Sequence, residues 1–415
     1  MQATFEYRDG SLYCEDVEVE RIAAKAGTPV YIYSASAIRG RFREYDEALA
    51  GVPHRVCYAV KANGNLSVLR LLAEAGAGFD IVSGGELYRV TKAGGEAAGV
   101  VFAGVGKTRD EIEMALEAGI HSFNCESEAE IALIAALAAR LGKQASVAVR
   151  VNPDVDAETH PYISTGLKEH KFGIDIGEVE QVYERARGLA GVRMEGVACH
   201  IGSQLLDTSP LIEAAKRLVE LVERLRARGF AIRYLDLGGG IGVPYKPDDA
   251  RPDVAGFLSA IRELVKEHGL TLLFEPGRSI VAEAGALVTR LLYRKPGTGK
   301  EFMVVDAAMT ELIRPALYGA YHEIVPLRKS RVPGTVTADV VGPVCESADF
   351  LAKGRELPQV MPGEYMAVMT AGAYGWVASS NYNARPRAAE VLVEGAQWRV
   401  VRRRETYEEL IRGEE

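Results

Sequence analysis

The chain has 415 residues, 48% hydrophobic and 26% charged, with a formal net charge of -8. That length allows two domains with substantial cores, and the acidic balance, with no long basic block, argues against a nucleic-acid surface. Five scattered cysteines (Cys14, Cys57, Cys125, Cys199, Cys345) show no paired spacing, which fits a reducing cytoplasm and gives no disulfide framework and no zinc site. No apolar run is long enough to span a bilayer, and Met1 to Gly10 lacks a cationic segment followed by an apolar stretch, so a cytoplasmic location is expected.

Taken in chain order, Thr4–Tyr7 and the region around Leu12 read as strand and are assigned to a β domain completed much later. From about residue 30 to 280 apolar strands alternate with amphipathic helices. The expected strands are Val56–Val60, Gly78–Val82, Val100–Ala103, His121–Asn124, Ser146–Val151, Gly196–Ile201, Tyr234–Leu237 and Thr271–Phe274. Helical stripes separate them: Ile112, Ala115, Leu116 and Gly119; Ile131, Ile134, Leu137 and Leu141; and Leu211, Ala214, Leu218, Leu221, Val222 and Leu225. Strand–helix repetition implies a parallel sheet with right-handed crossovers, and eight units fit a closed (β/α)₈ barrel better than an open doubly wound sheet. After about residue 280 the stripes give way to strands bounded by Gly and Pro: Leu287–Tyr293, Glu301–Val305, Val336–Val341, Glu364–Met369, Arg387–Val393 and Trp398–Arg402. The expected organisation is a barrel over 30–280 and a mainly β domain from 1–29 and 281–415. The basic run Arg399 to Arg404 reads as a solvated edge.

Chemistry-bearing residues collect at the carboxyl ends of the barrel strands, where side chains converge on one mouth. Lys61 closes the first strand, in Val56-Cys57-Tyr58-Ala59-Val60-Lys61, on the face of Ala59 and Cys57. Asp80 lies in the second, Glu126 follows the fourth and Arg150 is near the end of the fifth. His200 ends the sixth with Ser203 beyond it, Gly238-Gly239-Gly240 follows the seventh, and Glu275 follows the eighth. Small residues lie beneath several of these: Gly78 under Asp80, Ala148 under Arg150 and Ala198 under His200. A lysine on such a face is either a solvated strand end or an amine that loses its proton readily and attacks carbonyls. The glycine-rich turn, followed by Glu275-Pro276-Gly277-Arg278, suits a phosphate, since loops after the seventh and eighth strands commonly hold one. An imine-forming lysine, a phosphate cradle, a flat histidine and a carboxylate are together what pyridoxal phosphate requires. Glu275 would face its ring nitrogen and His200 its ring.

The stretches Tyr58-Ala59-Val60-Lys61-Ala62-Asn63, Cys199-His200-Ile201-Gly202-Ser203-Gln204, Gly238-Gly239-Gly240 and Glu275-Pro276-Gly277-Arg278 resemble the fold-type III pyridoxal-phosphate amino-acid decarboxylases, which have the alanine racemase-like fold of barrel plus β domain. Four further stretches narrow the resemblance to the diaminopimelate decarboxylase family: Leu312-Ile313-Arg314-Pro315-Ala316-Leu317-Tyr318, Gly342-Pro343-Val344-Cys345-Glu346-Ser347, Gly372-Ala373-Tyr374-Gly375 and Asn381-Tyr382-Asn383-Ala384-Arg385-Pro386-Arg387. Met309-Thr310-Glu311 and Trp376-Val377-Ala378-Ser379 depart from the family's usual residues near the substrate, which touches substrate tuning.

The resemblance implies roles. Lys61 carries the cofactor imine, Glu275 pairs with the pyridine nitrogen and His200 packs on the ring, with Asp80 and Arg150 beside them. Ser203, Gly239, Gly240, Gly277 and Arg278 hold the phosphate region, with Tyr374 reaching it. Arg278, Arg314 and Tyr318 bind the far carboxylate of the substrate, with Tyr374 nearby. Glu346 takes the far ammonium, and Cys345 is the candidate proton donor. In that family Cys345 and Glu346 come from the partner subunit, so a homodimer with shared sites is expected. The implied reaction is decarboxylation of meso-2,6-diaminopimelate to L-lysine, the last step of lysine biosynthesis. Two alternatives stay open: a related decarboxylase of another basic amino acid or carboxynorspermidine, and an inactive cofactor-binding or regulatory homologue.

Overall fold

The structure is a computed structural model that describes residues 4–155, 171–330 and 332–415. The chain divides into two compact units. One is formed by Arg41–Val243 and Ala250–Ser279, the other by Met1–Gly40, Pro244–Asp249 and Ile280–Glu415.

The first unit is a parallel barrel. Its strands are β1 (His54–Ala59), β2 (Gly78–Ile81), β3 (Val100–Phe102), β4 (Ser122–Cys125), β5 (Ala145–Asn152), β6 (Val192–Ala198), β7 (Tyr234–Asp236) and β8 (Thr271–Phe274). Each pairs in parallel with the next, and β8 pairs with β1, Phe274 opposite Val56, which closes the ring. A two-residue strand, Ile174–Asp175, lies outside the ring along β5. Every expected barrel strand is present, with ends displaced by a few residues. The largest displacements are at β6, which starts four residues earlier and stops at Ala198, and its register against β5 shifts between Met194 and Gly196.

The helices form where the stripes predict, and side-chain caps begin two of the three. Thr108 and Glu111 make a reciprocal capping box ahead of Arg109–Ala118, and Gly119, read as part of the stripe, is instead its left-handed C-cap at φ 70°. Leu141 is likewise the C-cap of Glu128–Arg140, whose buried stripe is Ile131, Ile134 and Leu137.

The barrel interior contains a layer of Cys57, Val101, Ala148, Ala198, Tyr234 and Leu273. Small side chains on four strands leave room for the one large ring, Tyr234, whose hydroxyl lies 3.2 Å from Ser146 Oγ. That ring occupies the space a side chain on Gly196 would need, and the Tyr183 hydroxyl donates to the Gly196 carbonyl from the helix Val179–Ala186.

The second unit is a mixed β-sheet. Its order is Phe350–Pro358, Thr335–Val341, Glu301–Val305, Gly285–Pro296, Val30–Ser34, Ala389–Glu394 and Gln397–Arg402. The pair Ile324–Pro326 and Tyr365–Val368 joins it on Gly285–Pro296, and Phe5–Arg8, Ser11–Cys14 and Val17–Glu18 form a small antiparallel sheet. All six strands expected after residue 280 are found. Val30–Ser34, an uninterrupted buried run that the sequence places at the start of the barrel, pairs here with Gly285–Pro296 and Ala389–Glu394. Phe350–Pro358 went unread because Lys353, Gly354, Arg355 and Glu356 interrupt its apolar alternation. The basic run is also less solvated than expected. Arg402 pairs with buried Glu390 and lies 3.8 Å over the Trp376 ring, and Arg404 donates to the Pro29 carbonyl at 2.7 Å.

A Cβ on Gly196 would lie 2.0 Å from Tyr234 Cε2. Gly196→Ala is expected to destabilise the protein by about 1–3 kcal/mol through overpacking, measured by denaturant unfolding, whereas Gly94→Ala, with nothing within 4 Å, tests the backbone strain of its φ of 91° alone.

Candidate active site

At the carboxyl end of β1 the structure departs from the strand reading. The strand stops at Ala59, and Lys61 lies in a single 3-10 turn, Val60–Ala62. That turn is pinned from beyond: the Tyr58 hydroxyl donates to the Asn63 carbonyl at 3.1 Å, Asn65 N–H to Asn63 Oδ1 at 3.0 Å, and Asn65 Oδ1 caps the next helix by accepting from Ser67 N–H at 2.9 Å. The turn directs Lys61 Nζ to Asp80 Oδ2 at 2.8 Å. Asp80 is fully buried in β2, while the lysine side chain is 37% exposed, so the amine is both ion-paired and reachable.

Two more buried carboxyls share this mouth. Asn124, on β4, donates from Nδ2 to Asp236 Oδ2 at 2.8 Å and to Glu275 Oε1 at 3.1 Å. Asp236 Oδ1 accepts from Gly238 N–H at 2.9 Å. Burial pushes the Glu275 carboxyl well above its ordinary range, the charges of Asp236 and Asp80 push it further, and Lys61 opposes them. Burial likewise raises Asp236, against the hydrogen bonds from Asn124 and Gly238. Two carboxyls this close do not both ionise, so the pair retains a proton. The β4 loop is itself clamped. Lys107 Nζ, with no exposure, donates to the Gly104 and Asn124 carbonyls at 2.8 Å and pairs with Glu130 at 2.5 Å, and Glu130 accepts Glu126 N–H at 2.8 Å.

Beyond β6, His200 Nδ1 accepts from Gly239 N–H at 3.3 Å, which assigns the proton to Nε2. Burial first, then Arg150 and Lys61, hold its pKa well below the usual value, so the ring is neutral. Arg150 pairs with Glu126 at 2.8 Å and reaches the His200 carbonyl at 3.5 Å. Arg278 donates to Ser203 Oγ at 3.2 Å. The glycine turn is required by close backbone packing: a Cβ on Gly239 would lie 2.3 Å from the Glu275 carbonyl, and one on Gly240, at φ 113°, 2.7 Å from the Gly202 carbonyl. A Cβ on Gly277 would crowd Ala59 and Ala62 at 3.1 and 3.0 Å. The barrel unit therefore brings together Lys61, Asp80, Arg150, His200, Ser203, Gly239, Gly240, Glu275, Gly277 and Arg278.

The remaining expected residues lie in the β unit. Arg314 and Tyr318 begin and end one short helix, Arg314–Tyr318, the arginine buried and the tyrosine exposed. Cys345 and Glu346 sit on the exposed loop that follows Thr335–Val341, with Cys345 N–H donating to Asn383 Oδ1 at 2.8 Å. Tyr374 holds a left-handed backbone at φ 56°, which a bulky residue adopts only under strain.

Sequence reading missed Asn124, Asp236, Glu86, Lys107 and Glu130. Asp236 directly precedes Leu237 and the glycine turn, and Asn124 ends an expected strand; inward parity at those two strand ends was the available signal. The others act through tertiary pairs that no spacing reveals.

A model of the pyridoxal-dependent decarboxylase, pyridoxal binding domain matches residues 35–282. The chain is 57% identical over 412 residues to the diaminopimelate decarboxylase of Pseudomonas aeruginosa, covering 99% of this chain and 98% of the relative. It is 51% identical over 404 residues to that of Neisseria meningitidis serogroup A, covering 97% and 99%. This chain belongs to the diaminopimelate decarboxylase family. A solved member, from Helicobacter pylori complexed with L-lysine, matches with a TM-score of 0.91 at 43% identity over 95% of this chain and 98% of that one. The enzyme of M. jannaschii in co-complex with L-lysine matches with 0.94 at 38% identity over 99% and 98%. The barrel-plus-β architecture is thus that of the fold-type III decarboxylases, and among the described residues no helix is long and apolar enough to cross a membrane.

Glu86 gives this site a pH dependence. Burial raises its carboxyl from 4.5 to about 7, Asp80 adds to the rise, and Val82 N–H, donating at 2.7 Å, and Lys61 oppose it. Because the folded pKa is raised, the ionised form weakens the fold: the penalty is absent below pH 4.5 and complete above about 7. Glu86→Gln keeps the acceptor for Val82. Its stability relative to the parent is expected to grow by about 1–3 kcal/mol between pH 4.5 and 8, read from denaturant unfolding at each pH.

Proposed function

We propose that this protein decarboxylates meso-2,6-diaminopimelate to L-lysine and CO₂ with pyridoxal 5'-phosphate as cofactor. The observation that carries the reading is the convergence, on one barrel mouth, of a reachable Lys61 amine and a buried Glu275 carboxyl that feel each other's charge.

The residues present fit the cofactor. Asp80 Oδ1 and Asn124 Oδ1 are buried acceptors with no donor among the described residues, beside a carboxyl pair that retains a proton. A cationic ring nitrogen answers that excess of buried negative charge. Lys61 would hold the cofactor's aldehyde carbon, with Asp80 orienting its amine. Glu275 would face the ring nitrogen, its carboxyl positioned by Asn124 and Asp236. His200, neutral, would offer a flat surface to the ring. The glycine backbone at Gly239, Gly240 and Gly277, with Ser203 and Arg278, suits a phosphate, and Tyr374 is assigned to the same region. When bound, the cofactor supplies a sink for the electron pair left as CO₂ departs.

Arg278, Arg314 and Tyr318 bind the distal carboxylate of the substrate, Glu346 its distal ammonium, and Cys345 Sγ–H returns a proton to the carbon that lost CO₂. Cys345 and Glu346 are supplied by a second copy of the chain, so the functional unit is a homodimer. A buried Arg314 disfavours ornithine as substrate, since ornithine has no distal carboxylate to meet it. A Glu at the ring nitrogen favours a strong electron sink and therefore decarboxylation over racemisation. The structural likeness to a lysine/ornithine decarboxylase from Vibrio vulnificus, at 24% identity, shows the shared fold alone.

Release of CO₂ from meso-diaminopimelate, ornithine and arginine in parallel tests the substrate, and product from diaminopimelate alone is expected. Lys61→Ala is expected to lower kcat by at least about a thousandfold; retained turnover would sink the assignment. Mixing inactive Lys61→Ala and Cys345→Ala chains is expected to restore roughly a quarter of the parent activity if sites are shared across a two-fold dimer. No rescue would argue for sites contained in one chain.

A further inference from the structure

The loop that carries Cys345 and Glu346 is held from two sides within the β unit. On one side Cys345 N–H donates to Asn383 Oδ1 at 2.8 Å. Asn383 sits in the turn Tyr382–Ala384 with a left-handed backbone, φ 57° and ψ 27°, a conformation that asparagine adopts more readily than most residues. On the other side buried Asp349 receives two amides on one carboxyl, Met309 N–H at Oδ1 and Val344 N–H at Oδ2, each at 2.7 Å. The loop also closes on itself: Glu346 N–H donates to the Val344 carbonyl at 2.8 Å, and Asp349 N–H to the Glu346 carbonyl at 3.0 Å.

Both supports are anchored on the same stretch of chain. Met309 N–H is bound by Asp349, and the next residue, Thr310, accepts Ser380 N–H on its carbonyl at 3.0 Å, three residues before Asn383. The Asn383 turn is tied beyond as well. Asn381 Nδ2 donates to the Arg385 carbonyl at 3.0 Å and to Glu405 at 2.6 Å, and Glu405 also accepts Arg387 N–H at 2.9 Å. Two stretches marked in the sequence, Met309 to Glu311 and Asn381 to Arg387, thus converge on the main chain of Cys345. Cys345 is exposed and lies outside any helix or strand, so its own surroundings do not fix it by burial. A reacting group misplaced by about 1 Å costs about a hundredfold in rate. A hydrogen bond to the Cys345 main chain fixes where the side chain starts without engaging its sulfur.

We propose that Asn383 is a positioning residue that holds Cys345 for the return of a proton at the barrel of a second copy of the chain. The inference rests on the reading of Cys345 as a donor supplied across the dimer. Asn383 acts through the Cys345 backbone and touches neither substrate nor cofactor in this scheme. It therefore serves the other copy's barrel and not its own, which puts it in the same half-site as Cys345 and Glu346.

Variants of the holoenzyme, alone and mixed, test that assignment. Asn383→Gly removes the amide while suiting the left-handed backbone, and Asn383→Asp keeps the accepting oxygen. In Asn383→Gly kcat for meso-diaminopimelate is expected to fall about tenfold or more with KM changed less than about twofold, and Asn383→Asp is expected to recover most of the loss. The solvent deuterium isotope effect on kcat is expected to be larger in Asn383→Gly than in the parent, because slower proton return then limits more of the turnover. A mere loss of folded enzyme would leave that effect unchanged. Mixing Asn383→Gly with Lys61→Ala chains is expected to restore roughly a quarter of the parent activity, whereas Cys345→Ala chains add nothing to the residual activity. An unchanged kcat in Asn383→Gly, an isotope effect equal to the parent's, or rescue by Cys345→Ala chains and not by Lys61→Ala chains would each overturn the proposal. Cys345→Ala by itself separates the two claims: a parent-like kcat there means that Cys345 is not the donor, whereas a slowed Cys345→Ala beside an unaffected Asn383→Gly refutes the role of Asn383 alone. Should Asn383→Gly fail to fold, Asn383→Ala decides by the same criteria, since the neighbouring Ala384, at φ 54°, holds an alanine in that conformation.

Discussion

Three buried carboxyls, Asp80, Asp236 and Glu275, face one lysine at the mouth of the barrel. Burying a carboxylate costs several kcal/mol unless it is paired or keeps its proton. The barrel uses both solutions side by side. Asp80 takes the Lys61 ammonium, and Asp236 and Glu275 share Asn124 as a common donor and keep a proton between them. This concentration of negative charge in a low-dielectric site constrains much around it. The Lys107–Glu130 pair fixes the Asn124 backbone, Gly238 must present its N–H to Asp236, and Gly239 must pass within reach of Glu275. Such a site disfavours anionic guests at its floor and favours a cationic heterocycle, and it is here that a protonated pyridine ring gains most.

The end of the site proposed for a phosphate follows a different logic. There the chain supplies backbone amides, a hydroxyl and a guanidinium, and the glycines are enforced by backbone-to-backbone approach of the loops after β6, β7 and β8. A side chain at Gly239 or Gly240 would separate these loops whether or not a ligand is present. The cradle is thus a property of how three neighbouring strands end, and its donors are placed before any anion arrives, which lowers the ordering cost of binding one.

How far the sequence revealed this can be judged strand by strand. All eight barrel strands were legible, because buried parallel strands are short apolar runs between capped amphipathic helices, and parity put Cys57, Ala148 and Ala198 correctly into one interior layer. Parity failed at Lys61, where the chain leaves strand geometry two residues early for a turn stabilised by Asn63 and Asn65. It also could not place Val30–Ser34, since a continuous buried run looks the same at the centre of a β-sheet as in a barrel, and only its partners Gly285–Pro296 and Ala389–Glu394 distinguish them. Within the barrel mouth, Lys61, His200 and Glu275 announced themselves by their positions at strand ends. Asn124, Asp236 and Glu86 did not, because their importance lies in which carboxyl they meet, a fact of tertiary distance.

Arg150–Glu126 and Lys107–Glu130 extend that point, because each solves the problem of a buried cation by neutralisation. The barrel floor shows another solution, negative groups held by the amide of Asn124, which satisfies them without cancelling their charge. Lys61 stands between the two, ion-paired to buried Asp80 while its own side chain stays 37% exposed. A carboxyl held by a neutral donor keeps its field, whereas one held by a buried cation spends it. Which partner a buried ion has is therefore as informative as the ion itself.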